Sequence, residues 1–267
     1  MEIRFIYHSL SNTFMKTVIV DTHFHLGSCR VFGLNVTEEQ VIKNLTEVGI
    51  TAMILQPFPG AYPQPPNHLH SRIAELSRKY EGQIFGMVSI NPHVLEPDEW
   101  KRETRKWIKD HGFVGIKVHT AGHAVHLGTK DAEIMFELAN ELEVPVMVHT
   151  GLGIPFASPT AVAPLAEKFP DVKIVLAHAG FIFHAGEAFF VASKYKNVYL
   201  ETSWCMAEDI EMFIKTLGGD KVMFGTDLPL NTLIELEKAR RINVSNEERE
   251  KFLYKTAEKV FKLKIKR

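Results

Sequence analysis

Cysteine is scarce in this chain. Cys29 and Cys205 are the only two in 267 residues, too few for a disulfide framework. A reduced, intracellular setting is the default expectation. An excess of charge is missing too: 31 Lys and Arg face 32 Asp and Glu, for a net charge of −1. That balance lacks the basic footprint of a nucleic-acid binder. No apolar run reaches the roughly 18 residues of a membrane span. The opening stretch MEIRFIYHSLSNTF carries Glu2 and Arg4 and lacks a signal peptide's apolar centre and cleavage site. Phosphate loops are absent, since neither GxGxxG nor GxxxxGK[ST] follows any apolar run. The expectation is a cytoplasmic protein with a small-molecule partner and no nucleic-acid or membrane partner. A homodimer is left open.

What the chain does have is a series of short apolar runs rich in β-branched residues. Eight read as strands: TVIVDTHF (17–24), TAMILQPF (51–58), IFGMVSIN (84–91), FVGIKVHT (113–120), PVMVHT (145–150), KIVLAHA (173–179), NVYLETS (197–203) and KVMFGTD (221–227). Segments of helical periodicity lie between them. The 37–49 segment opens with a Thr/Gln capping box and stops at a glycine; 97–112 opens with proline and closes with glycine. The 131–143 and 245–263 segments are amphipathic. Hydrophobic residues make up 45% of the chain, enough for a sizeable core. Strands buried on both faces and joined by helices imply a parallel sheet. Eight such units predict an α/β fold, a single-domain (β/α)₈ TIM barrel. An open doubly wound sheet fits less well, because no phosphate loop follows a strand.

The 13 histidines are not scattered. His23 and His25 stand two apart in VDTHFHLG, so they share one strand face. Lys117 and His119 lie on the fourth predicted strand, His149 ends the fifth, His178 the sixth, and Asp227 the eighth. Barrel enzymes draw their chemistry from these C-terminal strand ends. Imidazoles with a carboxylate make a ligand set for Zn²⁺ or a similar divalent ion. Asp21 is expected deeper, as a hydrogen-bond partner behind the ligands or within the core.

Together these stretches resemble the metal-dependent amidohydrolase superfamily, in the branch that includes aminocarboxymuconate semialdehyde decarboxylase-like proteins. The resemblance runs from DTHFH through GFVGIKVHT, PVMVHTG, LAHAG and GTDLP to the closing helix. It implies a metal held by His23, His25, His149 and Asp227, with Zn²⁺ first and Mn²⁺ or Fe²⁺ as alternatives. It implies that His178 is a catalytic acid/base or a ligand to a second metal. Some superfamily members carboxylate a strand-four lysine to bridge two metals. The GIK lysine of this branch is not usually such a ligand, so Lys117 is expected as a buried amine with a shifted pKa. The stretch YKTA (254–257) departs from the family's frequent GGNA, which touches helix packing and not the site. Family members tend to start close to the first strand, so 1–14 reads as a dispensable extension ahead of a barrel domain at 15–267.

His119, Trp204 and Arg30 are further pocket candidates, Arg30 as a clamp for a substrate carboxylate. Phe58, Tyr62, Phe181 and Phe183 could wall the pocket. His123 and His126 read as surface or substrate-contact residues, and His70 as exposed. Cys205 has no histidine at a spacing that would make it a nucleophile.

Two reactions share this ligand set. In the first, Asp227 takes a proton from a metal-activated water that attacks an amide, lactone or ester carbonyl, with His178 stabilising the oxyanion. In the second, an unsaturated or aromatic acid loses CO₂ without oxidation. Arginines are sparse at the predicted strand ends, which tips the sequence reading toward hydrolysis. A non-catalytic metal-binding barrel ranks last, because no ligand position is lost.

Overall fold

The computed structural model describes residues 17–29, 32–59 and 67–267. The 1–14 extension, Arg30 and Tyr62 fall outside them. The first half runs β1 (Val20–Cys29), β2 (Leu34–Val36), α1 (Glu38–Lys43), β3 (Ala52–Pro57), α2 (Asn67–Lys79), β4 (Ile84–Gly86) and α3 (Pro97–His111). The second runs β5 (Ile116–Val118), α4 (Lys130–Leu142), β6 (Val146–His149), α5 (Ala163–Lys168), β7 (Ile174–Ala177), α6 (Ala185–Lys194), β8 (Val198–Glu201) and α7 (Ala207–Leu217). The chain ends with β9 (Val222–Met223), α8 (Thr232–Arg241), α9 (Asn246–Glu250) and α10 (Thr256–Phe261). Among the described residues, no helix is long and apolar enough to cross a membrane.

Local chemistry sets several boundaries. Thr37 and Gln40 form the capping box of α1. Pro97 starts α3, and Gly112 ends it with a left-handed φ of 70°. Thr129 and Ser245 cap α4 and α9 by accepting backbone N–H groups.

Parallel pairing runs β1-β3-β4 and β5-β6-β7-β8-β9, with β2 antiparallel on β1. Two single bridges, Val88–Ile116 and Phe24–Asp227, join the runs at both edges. The eight parallel strands thereby close into the (β/α)₈ barrel. Seven of the eight predicted runs contain their strand, and the first, read as 17–24, holds only the start of β1, which continues to Cys29. The last run is strand only at Val222–Met223, because Phe224 N turns away to donate to Phe252 O at 3.0 Å. The hairpin strand β2 is too short to leave a periodic signal in the sequence.

Two apolar layers sort the strand faces. Met53, Leu55, Ile116, Val118, Val146, Val148, Ile174, Leu176, Val198 and Leu200 pack outward against helices. Val20, Ala52, Ile54, Met87, Met147, Val175, Tyr199 and Met223 fill the interior, with Ala257, Val260, Phe261 and Leu263 of the C-terminal segment packed among them. The alternation is the two-residue period of a strand. β1 breaks it once. Asp21 pairs with Met53 and Phe24 with Leu55, so β1 holds one residue more than its partner. That bulge swaps the strand's faces. Below it Val20 points inward; above it His25, paired with Gln56, does.

Candidate metal centre

The bulge delivers His23 and His25 into the barrel mouth, where their Nε2 atoms lie 3.2 Å apart. Asp227 is tied to the same segment. Its N–H donates to His23 O at 2.7 Å, and its carbonyl accepts from His25 N at 3.2 Å. Its Oδ1 then sits 3.4 Å from His23 Nε2 and 3.3 Å from His25 Nε2.

Hydrogen bonds on the far side of each ring fix where the protons are. His23 Nδ1 is 2.8 Å from Glu201 Oε2, and His25 Nδ1 is 3.3 Å from Pro57 O. With an acceptor at each Nδ1, that nitrogen is placed to donate, and the tautomer that does so leaves Nε2 bare. Two bare nitrogens and a carboxylate oxygen then face one another with no proton between the nitrogens. Lys117 Nζ, 3.0 Å from His23 Nε2, and Gln56 Nε2, 3.4 Å from His25 Nε2, offer protons to these nitrogens, and the donor types of the cluster also suit a divalent ion.

Of the four residues read as ligands, His23, His25 and Asp227 offer donor atoms within 4.8 Å of one another. His149 stands beside them. Its ring stacks on His119 with centroids 4.2 Å apart, its Nε2 donates to Leu152 O at 2.9 Å, and its Nδ1 lies 3.2 Å from His178 Nε2. Lys117 is fully buried, with Nζ 3.0 Å from His23 Nε2. Burial pulls its amine down to about 8, against the charges of Asp227 and Glu201. Burial likewise holds His23 and His178 well below the ordinary imidazole value, and brings His149 to about 4. For Asp227, burial acts upward, but its contacts with His23, His25 and His178 outweigh it and keep the carboxyl well below its usual range.

Glu201 escaped the sequence reading. It is fully buried at the end of β8 and touches both His23 and the His178 backbone. The signal was there: in NVYLETS, Glu201 follows Tyr199 by two and so shares its inward face. Asp21 does lie deeper, accepting from His23 N at 3.2 Å and from Thr226 N at 3.0 Å. Three expectations need correcting. His70 is fully buried, its Nε2 accepting from Ser89 N at 3.0 Å, and His123 is buried as well. His70, on α2, packs beside Trp107 and Phe113, and His123 beside His119, contacts that sequence position alone does not reveal. Phe183 points out, 76% exposed. Cys205 is buried with its Sγ on His178 O, and burial pushes its thiol far up, so it is no nucleophile.

A cavity of about 370 Å³ opens above these groups. His25, His119, His149, His178 and Asp227 are its polar lining; Phe32, Phe58, Phe181 and Trp204 supply aromatic walls. Phe58 stacks on His25 at 4.4 Å, and Trp204 Nε1 donates to Asp227 Oδ2 at 2.8 Å. His178, Phe181, Trp204 and Asp227 all hold positive φ between 56° and 68°. Such backbone strain gathers where a fold must aim side chains into a site.

Comparisons with known proteins bear on the fold and the family. A manganese-bound 5-carboxyvanillate decarboxylase from Novosphingobium aromaticivorans has a similar fold, with TM-score 0.75, 16% identity, and 93% of this chain and 97% of that one covered. A dihydroxybenzoic acid decarboxylase from Polaromonas sp. JS666 aligns with TM-score 0.72 at 18% identity, over 92% and 97% of the two chains. A 4-oxalomesaconate hydratase from Rhodopseudomonas palustris aligns with TM-score 0.70 at 19% identity, over 92% and 96%. Among curated proteins, none matches by sequence. The amidohydrolase family model matches residues 52–263, a span that starts after His23 and His25 and includes His149, His178, Glu201 and Asp227. The chain therefore belongs to the amidohydrolase family of enzymes.

Proposed function

We propose that this enzyme is a metal-dependent carboxy-lyase that removes CO₂ from a small planar acid, aromatic or conjugated. The observation that carries the reading is the shape and lining of the cavity. About 370 Å³ is room for one substituted ring, and Phe58, Phe181 and Trp204 offer faces for it to lie against. The decarboxylases of similar fold act on ring acids, which supports the same class here.

The sequence reading leaned to hydrolysis because arginines are sparse. The described cavity lining indeed holds no arginine or lysine. A divalent ion held by His23, His25 and Asp227 would make that count a poor guide, since its charge would offset that of a substrate carboxylate. Zn²⁺ and Mn²⁺ both suit two imidazoles and a carboxylate. When bound, the ion supplies Lewis acidity that neutralises substrate charge and polarises an oxygen beside the reacting carbon.

The chain's own residues handle the proton. Asp227 has one oxygen toward the ion site and the other held by Trp204, so the base left at the mouth is His178 Nε2, which lies 3.2 Å from His149 Nδ1. Burial keeps that imidazole neutral at rest and makes its protonated form short-lived, so a proton taken up is passed on quickly. His178 takes a proton from the substrate's hydroxyl and returns it to the carbon bearing the carboxylate. The carbon–carbon bond then breaks, its electron pair restores the ring, and CO₂ leaves. The aromatic walls exclude water that would compete for the proton.

The test is a substrate panel with Mn²⁺- or Zn²⁺-loaded protein: hydroxylated benzoic and conjugated acids against lactones, esters and amides. CO₂ release from an acid is expected. Hydrolysis of a carbonyl substrate with no CO₂ from any acid would return the assignment to a hydrolase.

A further inference from the structure

Glu201 receives four donors. Its Oε2 accepts from His23 Nδ1 at 2.8 Å, Ser203 Oγ at 3.0 Å and His178 N at 3.1 Å; its Oε1 accepts from Ser203 N at 2.6 Å. An ionised carboxylate has about four acceptor sites. Three donors crowd Oε2, more than its two lone pairs can serve equally, and Oε1 keeps one lone pair, so the oxygen that faces His23 and His178 is committed to them and not to an ion. Space is reserved for Glu201 as well: a Cβ at residue 225 would overlap Glu201 Oε1, which makes Gly225 a requirement of this carboxylate.

The hydroxyl of Ser203 carries the effect onward. It gives its single proton to Glu201 Oε2, so toward His178 Nδ1, 2.8 Å away, it can only accept. With its proton on Nδ1, His178 donates to Ser203 Oγ, and its Nε2 then faces His149 Nδ1, 3.2 Å away, as a second bare nitrogen at the mouth. The same carboxylate therefore fixes His23 directly and His178 through one hydroxyl.

We propose that Glu201 and Ser203 are positioning residues that set the tautomers of His23 and His178, so that both rings present a bare Nε2 to the site. One consequence is that the ion-binding ring and the proton-carrying ring are prepared by one buried acid. The inference rests on the metal-centre reading above, and its test separates the two. Uniformly ¹⁵N-histidine-labelled protein without metal, read by two-bond ¹H–¹⁵N correlation, should show His23 and His178 both protonated on Nδ1. Titration with Mn²⁺ alone gives the affinity. Glu201→Gln should move the His23 proton toward Nε2 and weaken Mn²⁺ binding about 10–100-fold, the usual cost of losing a partner behind a metal-bound histidine. Ser203→Ala should change the His178 tautomer and leave both His23 and Mn²⁺ affinity as they were. A His23 protonated on Nε2 in the unaltered protein overturns the inference, as does Glu201→Gln binding Mn²⁺ at full strength. Should Glu201→Gln fail to fold by circular dichroism, the His178 signal in Ser203→Ala decides: an unchanged tautomer overturns the relay. Failure of the unaltered protein to bind Mn²⁺ instead overturns the metal-centre reading and leaves the tautomer result standing.

Discussion

Met147 and His149 stand two residues apart on the inward face of β6, and Tyr199 and Glu201 do the same on β8. In each pair the lower residue belongs to an apolar layer packed with the C-terminal segment, and the upper one to the polar mouth. One strand thus serves two environments within about 7 Å of rise. The lower layer needs only volume and apolarity. In the upper layer every buried polar group needs a partner, because an unpaired one costs about 1–3 kcal/mol. Glu201, Ser203 and Asp21 are those partners. The comparison teaches that this barrel draws stability from one end and chemistry from the other, and substitutions at each end should separate the two.

Asp227→Ala should have the largest effect. It removes a donor from the ion site and the acceptor of Trp204 Nε1 together. Turnover should fall about 10³-fold or more, as several kcal/mol of metal-assisted stabilisation disappear, and Mn²⁺ binding should weaken with it. The urea midpoint should move less than for a substitution in the lower layer. A variant that keeps its metal and its rate would take Asp227 out of the centre.

His178→Ala comes next. Turnover should drop about 10²–10⁴-fold, the range for a general acid–base, while metal stoichiometry is kept. Both quantities must be measured on the same preparation. Loss of one of two bound ions per chain would instead place His178 among the ligands.

At the other end, Met147→Ala should cost about 2–5 kcal/mol of stability by opening a cavity among fully buried side chains. Its Mn²⁺ affinity should match that of the unaltered protein. A fall of tenfold or more would show that the two layers are mechanically coupled and that the division drawn above is too sharp.

Much of this division is legible in the sequence. Strand-end residues such as His149, His178 and Asp227 stand out because each closes an apolar run just before a loop. The interior of the barrel follows from simple alternation. What stays hidden has physical causes. The bulge in β1 is a one-residue slip in pairing, visible only when β3 is alongside; without it the face that begins at Val20 would continue through Thr22 and Phe24, and the histidines would point outward. Ser203 is an ordinary serine until the fold sets it between Glu201 and His178. The contacts of His149 with His119 and His178 depend on ring rotation, which spacing does not encode.

Glu235 supplies the smallest effect and the finest test of the comparison, because it is a buried acid near the mouth that serves packing. Its Oε1 accepts from Trp204 N at 2.7 Å, Asn231 Nδ2 at 2.8 Å and Lys238 Nζ at 2.6 Å, which anchors the wall residue Trp204. Burial nonetheless raises its carboxyl from the ordinary 4.5 to about 7, with Lys238 pulling the other way. Between those two values the folded chain holds a proton that the unfolded chain has lost. Folding is therefore most favoured below pH about 4.5, weakens as the pH rises, and levels off above about 7. The span is at most roughly 3.5 kcal/mol, from about 1.4 kcal/mol per pKa unit. Glu235→Gln removes this group and leaves every other titration in place. Urea midpoints of both proteins at pH 5, 6, 7 and 8 should show the unaltered protein losing ground to the variant across that window. A constant difference would mean that Lys238 holds Glu235 ionised in the folded state. In that case the mouth end would carry a buried ion pair as part of its stability, and the separation between the two ends of the barrel would narrow.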